Sequence, residues 1–126
     1  MKVHKQVNSD KAPKALGPYS HAVVAGSFLF SSGQIGIDPK TGLIPEGIEA
    51  QTLQVIQNLS SVLEEAGTSL RNVVKTTVFL LNMDDFAAMN RIYADFFTEK
   101  PARSTVGVKS LPRNVLVEIE CIALIP

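Results

Sequence analysis

The C-terminal segment from Val115 to Ile125 constrains the fold more than any other stretch of the chain. Every second residue, Val115, Val117, Ile119, Cys121, Ala123 and Ile125, is apolar. The two-residue period of an extended strand therefore gives it one wholly apolar face, which belongs to a core. The alternate face carries Leu116, Glu118, Glu120, Ile122 and Leu124, apolar at both ends with two carboxylates between. That mixed face also calls for cover. In a chain with two helices, the cover on the second side could be another subunit.

The rest of the chain reads around this strand. Ala22–Ala25 and Phe28–Ser32 flank Gly26-Ser27, a hairpin signal. Gly33–Gly36 continues extended and gives way to a turn over Asp38–Gly42. Residues 46–66 predict a helix, because Leu53, Ile56, Leu59, Leu63 and Ala66 recur at three- and four-residue spacing and Gly67 follows as its stop. Val73–Leu81 is rich in β-branched and aromatic residues and predicts a strand. Asp84-Asp85 open a second helix whose stripe is Phe86, Met89, Tyr93 and Phe96 or Phe97, broken before Pro101. A strand over Arg103–Val108 and a turn over Leu111–Asn114 complete the order β-β-α-β-α-β-β. That order predicts a single α+β domain over residues 1–126, a mixed sheet with two helices on one face. The first 18 residues are polar, and Lys2, Lys5, Lys11 and Lys14, offset by Asp10, predict a solvated arm.

Composition excludes several classes of function. Twelve basic and twelve acidic residues give zero net charge, which removes the usual electrostatic attraction to nucleic acid or anionic lipid. Cys121 is the only cysteine, so no disulfide frame exists and a reducing compartment fits. No secretory h-region opens the chain and no apolar run approaches the roughly 18 residues of a membrane span, so the expected address is cytoplasmic. His4 and His21 have no partners at metal-ligand spacing, and no phosphate-cradling glycine loop occurs. Cys121 lies on the apolar face of its strand, where a thiol stays protonated, and His21 reads most simply as a surface residue.

Four segments hold the candidate chemistry: Gly17-Pro18-Tyr19-Ser20, Ser31-Ser32-Gly33-Gln34, Pro101-Ala102-Arg103-Ser104-Thr105 and Val117-Glu118-Ile119-Glu120. Arg103 follows a stiff Pro-Ala step, which suits its planar fork to bidentate capture of a carboxylate, or else it pairs with a surface Glu. Glu118 and Glu120 stand about 7 Å apart on one strand face. Partly buried, each would raise the other's pKa and one could carry a proton near neutrality. Alternatively both face solvent or pair with Lys109 or Arg113. Tyr19 is aimed by Gly-Pro or simply packs. Gly33 permits close backbone approach or marks a bulge. Asn90, beside the apolar stripe of the second helix, needs hydrogen-bond partners from backbone or ligand.

In this order the segments, with Val-Lys-Thr-Thr-Val-Phe at 74–79 and Glu-Ile-Glu at 118–120, resemble the Rid (YjgF/YER057c/UK114) family and its RidA-like branch over essentially the whole chain. The resemblance implies a chorismate-mutase-like fold assembled as a homotrimer with ligand clefts between subunits. It implies hydrolysis of reactive 2-enamine and 2-imine acids, the 2-iminobutanoate type released by PLP-dependent dehydratases, to 2-keto acids and ammonia, with no cofactor of its own. Carried over by position, Arg103 binds the substrate carboxylate and Glu118, rather than Glu120, holds the water. Tyr19 lines the cleft, Ser32 and Gly33 offer backbone contacts, and Asn90 joins them. Thr105 stands where many members have cysteine, which excludes thiol chemistry there. An older label of the family, RNA cleavage with translational inhibition, and a non-catalytic carboxylate-binding module are the competing expectations.

Overall fold

The computed structural model describes residues 4–126 and resolves them into one sheet with two helices on a single face. The strands are β1 (His4–Val7), β2 (Ala22–Ala25), β3 (Phe28–Ser31), β4 (Gln34–Ile35), β5 (Val73–Leu80), β6 (Ala102–Gly107) and β7 (Val117–Leu124). The helices are α1 (Ile48–Glu65) and α2 (Phe86–Phe96). The order across the sheet is β1-β2-β3-β7-β5-β6, with the short β4 also paired to β7. All pairings are antiparallel except β5 with β6, so the sheet is mixed as expected.

β7 is the hub, paired with β3, β4 and β5. Its odd-numbered side chains are buried in the main core with Val55, Ile56, Leu59, Val62 and Leu63 of α1 and Met89 and Tyr93 of α2. The opposite side of the sheet has no helix over it. There Phe28, Phe30, Val106 and Leu124 are exposed, with Phe79 and Ile122 half-buried among them.

α1 is a little shorter than the periodicity predicts, because Gly47, at φ 90°, holds the chain outside helical geometry just before it. Gly67 (φ 83°) ends it as expected. The Gly67 N–H donates to Glu64 O and the Thr68 N–H to Leu63 O, the double bond of a left-handed helix stop. In α2 the stripe continues to Phe97, which is buried, whereas Phe96 is exposed. No helix among the described residues is long and apolar enough to cross a membrane.

Two expectations for the N-terminal region are corrected. Residues 4–7 are not a free arm but an edge strand, registered His4 to Ala25 and Val7 to Ala22. Only Val7 is buried there. A strand held by its ladder alone, with a lysine on its open edge, carries no hydrophobic signature. Lys2 lies outside the described residues.

His21 is not a surface residue either: it is 4% exposed. Its Nδ1 accepts from the Ser9 N–H at 3.0 Å and its Nε2 lies 2.7 Å from Pro13 O. A carbonyl only accepts, so Nε2 carries the proton and the ring is a neutral staple. Asn8 Oδ1 accepts from the His21 N–H on the same side, so residues 8–13 are sewn to the start of β2. His21→Leu strands the Ser9 donor and the Pro13 acceptor at about 1–3 kcal/mol each. The urea midpoint is expected to fall with an unchanged slope; an unchanged midpoint would assign the anchoring to other contacts.

Candidate functional site

Arg103 sits on the last strand of the sheet, β6, on the face toward α2, because it pairs with the core-facing Thr76. Three residues one helical face apart, Phe86, Asn90 and Tyr93, close around it. The guanidinium carbon lies 4.7 Å from the centre of the Tyr93 ring and 5.5 Å from that of Phe86. Both are within the roughly 6 Å over which an aromatic face attracts a cation. Arg103 Nη1 donates to Asn90 Oδ1 at 2.8 Å, which settles the partner of that amide. Tyr93 is itself fixed by a 2.7 Å hydrogen bond between its hydroxyl and that of Thr76.

Among the described residues no carboxylate pairs with Arg103; the two ion pairs join Arg71 with Glu99 and Arg91 with Glu49. The guanidinium is thus oriented by neutral groups, and its positive charge is not cancelled. An open cavity of about 570 Å³ beside it is lined by Tyr93, Phe97, Lys100 and Pro101, with no acidic side chain. A second groove, of about 530 Å³ between α1 and Asp38–Lys40, contains none of the candidate residues.

Glu118 lies on the helix-free face of β7, opposite Phe79 of β5 and Ile35 of β4. Its carboxylate rests on Gly33: a Cβ there would overlap Glu118 Oε2 and stand 2.8 Å from Cδ. Gly33 therefore permits close approach, but to a side chain of the same chain. Partial burial raises the Glu118 pKa above its ordinary value, and the charge of Glu120 raises it further. Glu120 is exposed, so only one of the two carboxylates is set apart by its surroundings. Neither pairs with Lys109 or Arg113 among the described residues.

Ser32, next to Gly33 in the chain, is bonded elsewhere: its hydroxyl donates to Ser20 O at 2.7 Å and its N–H to His21 O at 2.9 Å. Tyr19, next to Ser20, is exposed, its ring folded over Gly17 and its hydroxyl accepting from the Leu16 N–H at 3.1 Å. Thr105 belongs with Arg103, two residues along β6 on the same face, its Oγ1 buried and without a hydrogen-bond partner. Cys121 is buried and its thiol is pushed up to about 11, chiefly by loss of water. No group of three His, Cys, Asp or Glu side chains is arranged to hold a metal among the described residues.

The candidate residues therefore form two separate groups. Arg103, Asn90 and Thr105 lie on the helix side at the β6 edge; Glu118 lies on the helix-free side of β7 against Gly33, which Ser32 precedes. Arg103 is aligned with Thr76 and Cys121, and Glu118 with Phe79. Two strands and three residues of register separate them, roughly 14 Å between Cα atoms, with the sheet between their side chains. One protomer does not bring them together.

Phe86 and Tyr93 were legible only as core stripe. The signal for their second task is an amide, Asn90, seated between two aromatics on one helix face.

A family model described as Endoribonuclease L-PSP matches residues 9–125. The chain belongs to the Rid (YjgF/YER057c/UK114) family. This Rid chain is 56% identical over 117 residues to a RutC family protein of Pyrococcus horikoshii, covering 91% of this chain and 93% of that one. It is 44% identical over 124 residues to the 2-iminobutanoate/2-iminopropanoate deaminase of Escherichia coli, covering 95% and 97%. Among solved structures, yeast YEO7 superimposes with a TM-score of 0.95 at 42% identity over 98% of this chain and 99% of that one. E. coli TdcF with bound serine gives 0.92 at 40% identity, covering 95% and 98%.

Gly33→Ala tests the Rid chain's carboxylate niche directly. The atom displaced is the end of a flexible side chain, so the fold is expected to survive with a melting temperature within a few degrees of the parent. The Glu118 carboxyl, pushed off its seat into water, is expected to titrate nearer the ordinary glutamate value in a carbon-13 NMR titration. An unmoved midpoint would show that Gly33 does not set its environment.

Proposed function

We propose that this protein hydrolyses small 2-imino and 2-enamino acids to 2-keto acids and ammonia, at a site completed between two copies of the chain. One observation carries the reading: a guanidinium held in a fixed plane by two aromatic faces and an amide, with no carboxylate of its own. Such a group suits the bidentate capture of a planar substrate carboxylate. Relatives named as 2-iminobutanoate/2-iminopropanoate deaminases, and a relative crystallised with serine, agree with a small carboxylate ligand.

In this mechanism Arg103 binds the carboxylate and sets the C=N carbon beside a water held by ionised Glu118. Water adds to that carbon while Glu118 takes its proton. The proton then passes to nitrogen; as the C–N bond breaks, the hydroxyl oxygen forms C=O and returns its proton to Glu118, and a 2-keto acid and ammonia leave. A carboxyl with a raised pKa is a better proton carrier near neutrality than an ordinary one. An iminium is already electrophilic, so positioning supplies most of the catalysis. Tyr19 closes the cleft; Ser32, Gly33, Asn90 and Thr105 bind or orient the substrate. No step calls for a cofactor.

Because Arg103 and Glu118 occupy opposite faces of one sheet, the mechanism requires a second copy. The exposed Phe28, Phe30, Val106 and Leu124 on the helix-free face supply the apolar surface that self-association would bury. A chorismate-mutase-like homotrimer, sheets inward, would lay the β6 edge of one subunit against the β4–β7 region of the next. A reducing, cytoplasmic setting belongs to the same proposal.

The family description names an endoribonuclease, which favours RNA as a second reading. Zero net charge and a sheet face whose aromatics lie beside Glu118 and Glu120 oppose it, since single-strand platforms interleave aromatics with cations.

The test couples a threonine dehydratase, as the source of 2-iminobutanoate, to keto-acid formation with and without the protein. Acceleration is expected; tight 2-oxobutanoate binding with no acceleration would favour a binding module, and salt-dependent RNA cleavage would favour the second reading. Arg103→Lys is expected to lose nearly as much kcat/KM as Arg103→Ala, roughly 10- to 150-fold for a charge-assisted contact of about 1.5–3 kcal/mol. A lysine variant of near-normal rate would remove the bidentate role. Arg103→Ala and Glu118→Gln subunits, each impaired about tenfold or more alone, are expected to regain about a quarter of the parental rate when unfolded and reassembled together at random. No recovery would put both groups in one subunit's site.

A further inference from the structure

The geometry points to Asn58 of α1 as a positioning residue for Glu118, acting through β4. The inference rests on the role given to Glu118 above. Asn58 is 1% exposed in the middle of the helix, where a buried amide needs partners for every donor and acceptor. It has them. Its Nδ2 donates to Ile35 O at 3.1 Å and to Ile37 O at 2.9 Å, and its Oδ1 accepts from Gln54 Nε2 at 2.9 Å.

The segment so gripped has little else to hold it. β4 is two residues long and pairs with β7 only at Gln34–Ile119 and Ile35–Glu118. Ile35 O also accepts from the Ile37 N–H at 2.9 Å, whereas Asn58 is the partner found for Ile37 O. Ile35 and Ile37 are both buried, in a small satellite cluster with Val115. Gly33, the seat of the Glu118 carboxylate, is the residue just before β4. Asn58 thus fixes from the helix side of the sheet the height at which Gly33 meets Glu118 on the other side.

Without the two donors, the Ile35 and Ile37 carbonyls are short of buried partners and the segment lifts toward water. The gap opened at Gly33 hydrates the carboxylate. The other charged groups near Glu118 leave this chain of cause intact: Glu120 faces it from its own strand and Lys75 is on the same face of β5, bonded to Ser104. β4 and β3 present only Gln34, Ile35, Phe28 and Phe30 on their nearby positions.

The experiment compares Asn58→Leu, which keeps size and stays neutral but loses both donors, with Asn58→Ala, whose cavity admits water. Gln54→Leu is the control, since it removes the third bond of the amide and leaves both bonds to β4. The first readout, independent of turnover, is the carbon-13 titration of Glu118. Its midpoint is expected to fall toward the ordinary glutamate value in both Asn58 variants and to stay in place in Gln54→Leu. The second is the pH profile of kcat with 2-iminobutanoate. The acid limb is expected to move to lower pH and the plateau to drop about tenfold, while 2-oxobutanoate affinity, governed by Arg103, changes less than twofold. An unmoved Glu118 midpoint in the Asn58 variants overturns the inference, as does an equal shift in Gln54→Leu. If the parent protein hydrolyses no imine, the proposed function fails and the titration alone decides the role of Asn58.

Discussion

Everything in this molecule hangs on β7 having two faces with different obligations. Its inward side chains, Val117, Ile119, Cys121 and Ala123, are at most 3% exposed and sit under α1 and α2. Each large one removed from water contributes roughly 1.5–3 kcal/mol, and a one-residue slip would send all of them to the wrong side. The register that buries them is the register that turns Glu118 outward onto Gly33. The position of the carboxylate is therefore specified by the hydrophobic core, with no ion pair of its own among the described residues; burial makes its charge costly.

The groups around Arg103 and Glu118 meet opposite electrostatic problems by one means, the lack of an ion-pair partner among the described residues. Arg103 is held by quadrupoles and an amide dipole, which orient a cation without neutralising it. A glutamate in place of Asn90 would bind the guanidinium more strongly and occupy the fork a ligand carboxylate needs. Glu118 is held by a missing side chain on one side and a buried strand on the other, and is ion-paired with no cation among the described residues. Both groups belong to the same protomer but stand on opposite faces of its sheet. On the function proposed above, self-assembly is the step that would let the two charges share one small hollow.

Much of the fold could be read from the chain because its long elements are strongly periodic. β7, α1, β5 and α2 announce themselves through apolar spacing, and Gly67 through the left-handed stop it supplies. What could not be read is held by hydrogen bonds rather than by side-chain burial. The strand at 4–7 buries one residue and leaves no pattern. His21 looks like any histidine near a turn, since its partners are two backbone groups at positions 9 and 13. The candidate residues were legible as a set of motifs, but spacing along a chain says nothing of which face of a sheet a residue takes once the strand order is unknown. Arg103 and Glu118 fall on opposite faces because β6 runs parallel to β5 in a register that aligns residue 103 with the inward Thr76.

The same reasoning bears on how such a site is kept stiff with so little structure around it. β4 has two residues and the β6 edge has an open side, and neither would hold a functional group to within a fraction of an ångström by its ladder alone. In both places a helix supplies the missing rigidity through a side-chain amide: Asn90 of α2 directly for the guanidinium on its own face of the sheet, and Asn58 of α1 from the far face for the strand beneath the carboxylate. A buried amide suits this task because it is neutral, so it leaves the local potential nearly unchanged, yet costly to leave unsatisfied, so its geometry is enforced. Apolar packing would place these segments only to within the play of rotamers. A salt bridge would place them firmly but would set a compensating charge beside Arg103 or Glu118, and among the described residues neither group is ion-paired.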